Sequence, residues 1–235
     1  MVVFADADLA SAANAVVAGI FAATGQSCVA GSRLLVERSV KDEFLARLKQ
    51  KAEAIRIGDP QDSSTEMGPL ATSRQREWIE KTVAESLAAG GRLVTGGKRP
   101  EGKADGFYYA PTIIEVPDQT LACVREELFG PVLSALAFDT EAEALALAND
   151  TKFGLASGVF TTNLAKAHRM ARGIHAGVVW INTYRAVSPL VPFGGYGQSG
   201  LGREGGMDAI RDYTRSKSVW IRTSDDPIPD PFVMR

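Results

Sequence analysis

Short apolar runs and helix-patterned segments take turns along most of this chain, and that alternation narrows its possible folds. "SRLLVE" (32–37) reads as a strand and is followed by "SVKDEFLARLKQKAEAI" (39–55). There Phe44, Leu48 and Ile55 fall near helical spacing and Ser39 is placed as an N-cap. Farther on, the strand-like "YYAPTIIEV" and "PVLSALAF" lead into helix "TEAEALALAND", strand "GLASGVF", helix "LAKAHRMARGI" and strand "GVVWIN", in strict order. Strands separated by helices pair in parallel, because each crossover returns the chain to the same edge, and helices then cover the sheet's faces. The expected fold class is α/β.

The remaining segments fit that frame. Leu9, Ala13, Val16, Ile20 and Ala23 recur at helical spacing, with Asp6 and Asp8 at the start and Gly25 placed to stop the helix. Acidic residues precede this run and Asn14 interrupts it, so it reads as a core helix and not a targeting signal. No span reaches the roughly 18 to 20 uninterrupted apolar residues of a membrane helix. A loop from Gly58 to Ser73 leads to a helix over Arg74–Ala89 and a short strand, "RLVTG". After a glycine-rich stretch (189–206) come a short helix, "MDAIRDYT", a strand, "KSVWIRT", and a proline-containing tail.

A chain of 235 residues is long enough for one well-filled core. Its net charge of −2 creates no field that gathers phosphate backbones or an acidic membrane surface, so neither nucleic acid nor membrane is expected as a partner. The two cysteines, Cys28 and Cys123, lie outside any CxxC motif, which points to reduced thiols and a cytoplasmic location. Together with His168 and His175 they make no ligand set of suitable spacing, so no metal site is expected.

The chemistry centres on "GQSCVAGS" (25–32). Small residues around Cys28 leave its sulfur accessible and let backbone amides point at a neighbouring oxyanion, as a nucleophile requires. A buried cysteine packing as a small hydrophobe is the competing reading. "REELFGP" sets Glu126, Glu127 and Phe129 beside a Gly-Pro turn, which by itself also fits a solvated acidic turn with one core aromatic. "FGGYGQSGLG" follows a proline-containing loop and not a strand, so it fails the context test for a dinucleotide fingerprint.

"FAATGQSCVAGSR", "EELFGPV", "GLASGVFT", "GVVWIN" and "PFGGYGQSGLGRE", in this order, closely resemble the catalytic half of the NAD(P)-dependent aldehyde dehydrogenase superfamily, from about Val3 to Ile221. The resemblance implies a three-layer domain with a mostly parallel sheet over 1–215, a C-terminal oligomerisation strand and tail over 216–235, and no Rossmann-like cofactor domain within the chain. It implies that Cys28 attacks the aldehyde to give a thiohemiacetal, which hydride transfer to NAD or NADP converts to a thioester that water hydrolyses. It further implies that Glu127 and Gln75 contact the nicotinamide ribose, that Phe129 packs near the cofactor, that Phe193 lines the aldehyde tunnel, and that Asn182 is structural.

The family's general-base glutamate and oxyanion asparagine belong to an upstream half that these residues do not include. The expectation is therefore a catalytic-domain portion that is inactive or nearly so alone, with an aldehyde as the small-molecule partner and a homo-oligomer formed through the C-terminal strand. The alternatives are a truncated, non-catalytic homologue that oligomerises with a full-length partner, and a weak esterase that uses Cys28.

Overall fold

A computed structural model describes residues 1–103 and 105–233. Its main sheet takes strands from β1 (Val2–Val3), β2 (Arg33–Glu37), β3 (Arg92–Thr95), β4 (Thr112–Glu115), β5 (Val132–Phe138), β7 (Ala156–Phe160) and β8 (Val178–Ile181). Two short strands, β6 (Phe153–Gly154) and β9 (Tyr196–Gly197), pair separately. The order across the main sheet is β3-β4-β5-β2-β1-β7-β8, and every pairing is parallel except that of β3 with β4. The alternation seen in the sequence thus builds the parallel sheet expected of it. β1 escapes such a reading because two residues have no period. It nonetheless sits mid-sheet, with Val2 opposite both Leu35 and Val159.

Side chains alternate across each strand and feed two cores. Val2, Leu35, Leu136 and Val159 point to one, while Val3, Leu34, Val36, Leu133 and Phe160 point to the other. Helices α1 (Leu9–Phe21) and α2 (Lys41–Glu53) close the second core through Val16, Ile20, Phe44 and Leu48. Helices α3 (Ser73–Ala88), α4 (Ala122–Arg125), α5 (Glu141–Asn149) and α6 (Leu164–Gly173) close the first, through residues such as Ile79, Val83, Val124, Ala144 and Met170. The result is three layers, helix on sheet on helix.

Local signals explain most of the helix starts. Asp8, Thr72, Thr140 and Asn163 each accept a backbone N–H from the first turn of α1, α3, α5 and α6, respectively. The expectation for Ser39 fails: a 3-10 turn over Arg38–Val40 precedes α2, and the Ser39 hydroxyl lies 3.4 Å from the Glu37 carboxylate instead of capping the helix. The C-terminal end of α5 is closed by Arg33, the first residue of β2, whose guanidinium donates to the Leu147 (3.1 Å) and Ala148 (2.9 Å) carbonyls. A cation there meets the negative end of the helix dipole.

After Gly206 the chain forms one short helix, α7 (Ala209–Asp212), and "KSVWIRT" makes no strand among the described residues. A strand needs an edge to pair with, and among the described residues no strand pairs with that run. Trp220 stands 95% exposed.

One partly buried ion cluster gives the fold a pH dependence. Burial alone raises the pKa of Glu115, but hydrogen bonds from Lys41 and Arg92 outweigh it and hold the carboxyl below the usual glutamate range. A carboxylate depressed in the folded state stabilises the fold above its unfolded value and loses that contribution as pH falls. The urea midpoint of the chain should therefore drop as pH is lowered from about 6 towards about 3, and Glu115→Gln should be less stable at neutral pH with a shallower acid limb. Parallel acid limbs for the two proteins would reject the assignment.

Candidate active site

In most open α/β sheets ligands bind at the carboxyl ends of the strands. Here the main cleft, about 350 Å³, opens at the amino ends. Cys28 and Ser32 precede β2, Glu126 and Glu127 precede β5, Phe153 and Gly154 precede β7, and His175 precedes β8; all line it. Parallel pairing brings those segments to one edge although they are distant in sequence.

Cys28 is exposed and Cys123 is buried, both as free thiols. α1 ends at Phe21, before the expected stop at Gly25, and a 3-10 turn spans Ala22–Gly25. Ala23, Thr24 and Gly25 all take left-handed backbone, with φ of 52°, 56° and 69°. Only Gly25 does so without a Cβ penalty. The reason for glycine is close approach: a Cβ on Gly25 would lie 2.2 Å from the Gly130 carbonyl oxygen. That contact seats the cysteine loop directly on the Glu127–Gly130 segment. A turn closed by the Ala30 N–H and the Ser27 carbonyl (2.9 Å) then carries Cys28 and Val29. Among the described residues neither the Cys28 nor the Val29 N–H has a hydrogen-bond partner. Two free donors beside an exposed sulfur are what a developing oxyanion needs.

The other expected site residues divide. Glu127 is exposed on the cleft wall and has no hydrogen-bond or ion-pair partner among the described residues, whereas its neighbour Glu126 takes Lys152 at 2.9 Å. Phe129, 40% exposed with φ 51°, follows it but does not line the cleft. Gln75, from the first turn of α3, also stands outside the lining, and its carboxamide donates to the Leu128 and Phe129 carbonyls. In this structure it braces the Glu127 segment. Phe193 is half-buried and pairs with Glu204 through reciprocal 2.7 Å backbone bonds, away from the lining. The Asn182 side chain accepts from the Thr161 N–H (3.0 Å) and donates to the Thr161 carbonyl (2.9 Å), a structural clasp.

His175 and Tyr184 are among the residues of the cleft that the sequence did not single out as site residues. His175 lines it and donates its backbone N–H to Asn149 (2.8 Å). Tyr184 lines it and donates its hydroxyl to the Val29 carbonyl at 2.9 Å. An aromatic two residues past "WIN" is the one signal that could have drawn attention to the latter. Among the described residues no three His, Cys, Asp or Glu side chains converge to hold a metal ion, and no helix is long and apolar enough to cross a membrane.

Fold and site together define an α/β protein whose cleft is built around one accessible cysteine. The sequence profile of the aldehyde dehydrogenase family matches residues 1–219, and the chain belongs to that family. It is 59% identical over its whole length to (Z)-2-((N-methylformamido)methylene)-5-hydroxybutyrolactone dehydrogenase of Acinetobacter baylyi, covering 48% of that protein. It is 46% identical over 222 residues, 94% of the chain, to betaine aldehyde dehydrogenase of Sinorhizobium fredii, covering 46% of that protein. Among solved structures it is similar to betaine aldehyde dehydrogenase from Staphylococcus aureus in complex with NAD+, with a TM-score of 0.88 and 40% identity over 90% of this chain and 42% of that one. The chain spans about half the length of the curated relatives it matches.

Proposed function

We propose that the chain is the catalytic-domain portion of an NAD(P)-dependent aldehyde dehydrogenase, with the catalytic domain over 1–215, an oligomerisation strand and tail over 216–235, and the cofactor domain outside these 235 residues. The observation that carries this reading is the exposed Cys28 beside two unpaired backbone N–H donors, in the family's nucleophile position. The Cys28 sulfur attacks the aldehyde carbon. As the C–S bond forms, the carbonyl π pair moves onto oxygen, where the Cys28 N–H donates to it. NAD or NADP, held in part by Glu127 and Phe129, would supply the acceptor for the hydride lost from this carbon.

The unpartnered Glu127 carboxylate, an acceptor on the cleft wall, fits a ribose hydroxyl pair. Phe129 would pack near the cofactor, Gln75 would serve as a second ribose contact, and Phe193 would line the aldehyde's approach. Water then adds to the thioester, releasing the carboxylic acid and returning the thiol. The base that activates this water lies outside these residues, as does most of the cofactor site, so the chain alone is inactive or nearly so. Similarity to the NAD+-bound betaine aldehyde dehydrogenase of S. aureus supports the cofactor class, and the exposed apolar residues of "KSVWIRT" support assembly with a second copy.

The 235-residue chain should show no saturable NAD binding and no aldehyde-dependent NADH formation, whereas the same chain joined to a family cofactor half should oxidise an aldehyde with NAD or NADP. Failure of every such joined protein to form NAD(P)H, while correctly folded, would reject the reading.

A further inference from the structure

We propose that Tyr184 is a positioning residue for Cys28: its hydroxyl, bound to the Val29 carbonyl, holds the turn that keeps the Cys28 and Val29 N–H groups free to receive an oxyanion. The inference rests on the reading of Cys28 as nucleophile.

Three features of the fold place the ring. First, glycines make a slot for it: a Cβ on Gly158, in β7, would lie 2.7 Å from the ring, and one on Gly19, in α1, would lie 3.0 Å away. Gly19 is otherwise hard to account for, since glycine inside a helix costs about 1 kcal/mol relative to alanine. Second, Trp180 meets the ring edge-on, with centroids 4.8 Å apart. Third, the segment that presents Tyr184 is bent at both sides and fastened. Asn182 and Arg185 take left-handed backbone, φ 51° and 61°. The Asn182 clasp on Thr161 and a Trp180 indole N–H bond to the Ala186 carbonyl (2.8 Å) hold that geometry. Strained residues persist only where surroundings over-determine them. Here the product of the strain is one phenol aimed at the carbonyl that follows the cysteine.

The bond is oriented to matter. The Val29 carbonyl shares its peptide plane with the Ala30 N–H, so if that carbonyl swings the Ala30 bond to the Ser27 carbonyl is lost, and the turn that carries the Cys28 and Val29 N–H groups opens. Burial pushes the Tyr184 phenol above the usual tyrosine range, against a smaller opposing effect of Arg185, so it remains a donor at neutral pH.

Acylation and alkylation of the same sulfur separate this role from simple support. With p-nitrophenyl acetate, Sγ attacks the carbonyl carbon, the C–S bond forms through a tetrahedral oxyanion, and the C–O bond breaks with its pair leaving on p-nitrophenolate. With iodoacetamide, Sγ displaces iodide from carbon and no oxyanion forms. In the full chain, Tyr184→Phe should slow the single-turnover p-nitrophenolate burst about tenfold, while iodoacetamide labelling of Cys28 stays within about twofold and the thermal midpoint is little changed. A burst that is unchanged in Tyr184→Phe overturns the inference, as does a parallel fall of both rates. No Cys28-dependent burst in the unsubstituted chain would instead overturn the nucleophile reading, and this inference with it.

Discussion

Cys28→Ala should abolish covalent capture by this chain. Intact-protein mass spectrometry after brief exposure to iodoacetamide or p-nitrophenyl acetate near neutral pH should show one adduct on the unsubstituted chain, mapped to Cys28. The alanine variant should show none, a loss on the order of a thousandfold or more, because removing the attacking atom leaves nothing for oxyanion donors to assist. Cys123 is the internal control. It is only 4% exposed, its N–H is held by the Ser86 hydroxyl (3.1 Å) and its carbonyl by the Ser134 hydroxyl (2.9 Å), so it should stay unlabelled in the folded protein. Equal labelling of both cysteines, or an adduct that survives the substitution, would remove the case for a built nucleophile site.

The largest effect on stability is expected from Gly25→Ala. Alanine at φ +69° pays roughly 1 kcal/mol of left-handed strain. The added methyl would also stand 2.2 Å from the Gly130 oxygen and 2.3 Å from its carbonyl carbon, and both atoms are backbone, with no flexible tip to swing aside. Either the cysteine loop or the Glu127–Gly130 segment must move, and Gly130 is itself pressed against Ile79, where its own Cβ would meet the side chain at 2.2 Å. We expect a loss of about 3 kcal/mol or more in urea unfolding, with a slower acylation burst in whatever fraction stays folded. A loss below about 1 kcal/mol would mean that the two segments are not in contact in solution.

The contrast between these substitutions and their sequence signals shows where reading a chain stops. Strands β2, β5, β7 and β8 and helices α1, α3, α5 and α6 were legible because each carries its own period or cap. Leu34 and Leu35 alternate across a sheet, and Asn163 announces α6 in the residues next to it. Cys28 was legible through the motifs around it. What was not legible is contact between distant segments. Gly25 reads as a helix stop, yet its place is fixed by Gly130, and nothing in either stretch names the other. Gln75 reads through family resemblance as a ribose contact, yet in this structure its amide holds the Leu128 carbonyl. "KSVWIRT" has a strand's composition, but a strand exists only with a neighbour. Tyr184 shows the same limit most fully, since its slot is made of two absent side chains.

Placement of the cleft at the amino ends of the strands divides the molecule for anyone who would redesign it. The approach to this edge runs through glycines: Gly31 ahead of β2, Gly130 ahead of β5, Gly154 ahead of β7 and Gly177 ahead of β8, all with neighbours too near for a methyl group. At Gly154 and Gly177 the near atoms are backbone carbonyl oxygens, so those two turns tolerate substitution least; at Gly31 and Gly130 they are the Met1 and Ile79 side chains, which can shift. The opposite edge, where β2 leads to Arg38 and β5 to Asp139, carries exposed ion pairs and none of the cleft lining. Insertions, tags or a fused reporter belong there, clear of the cleft lining.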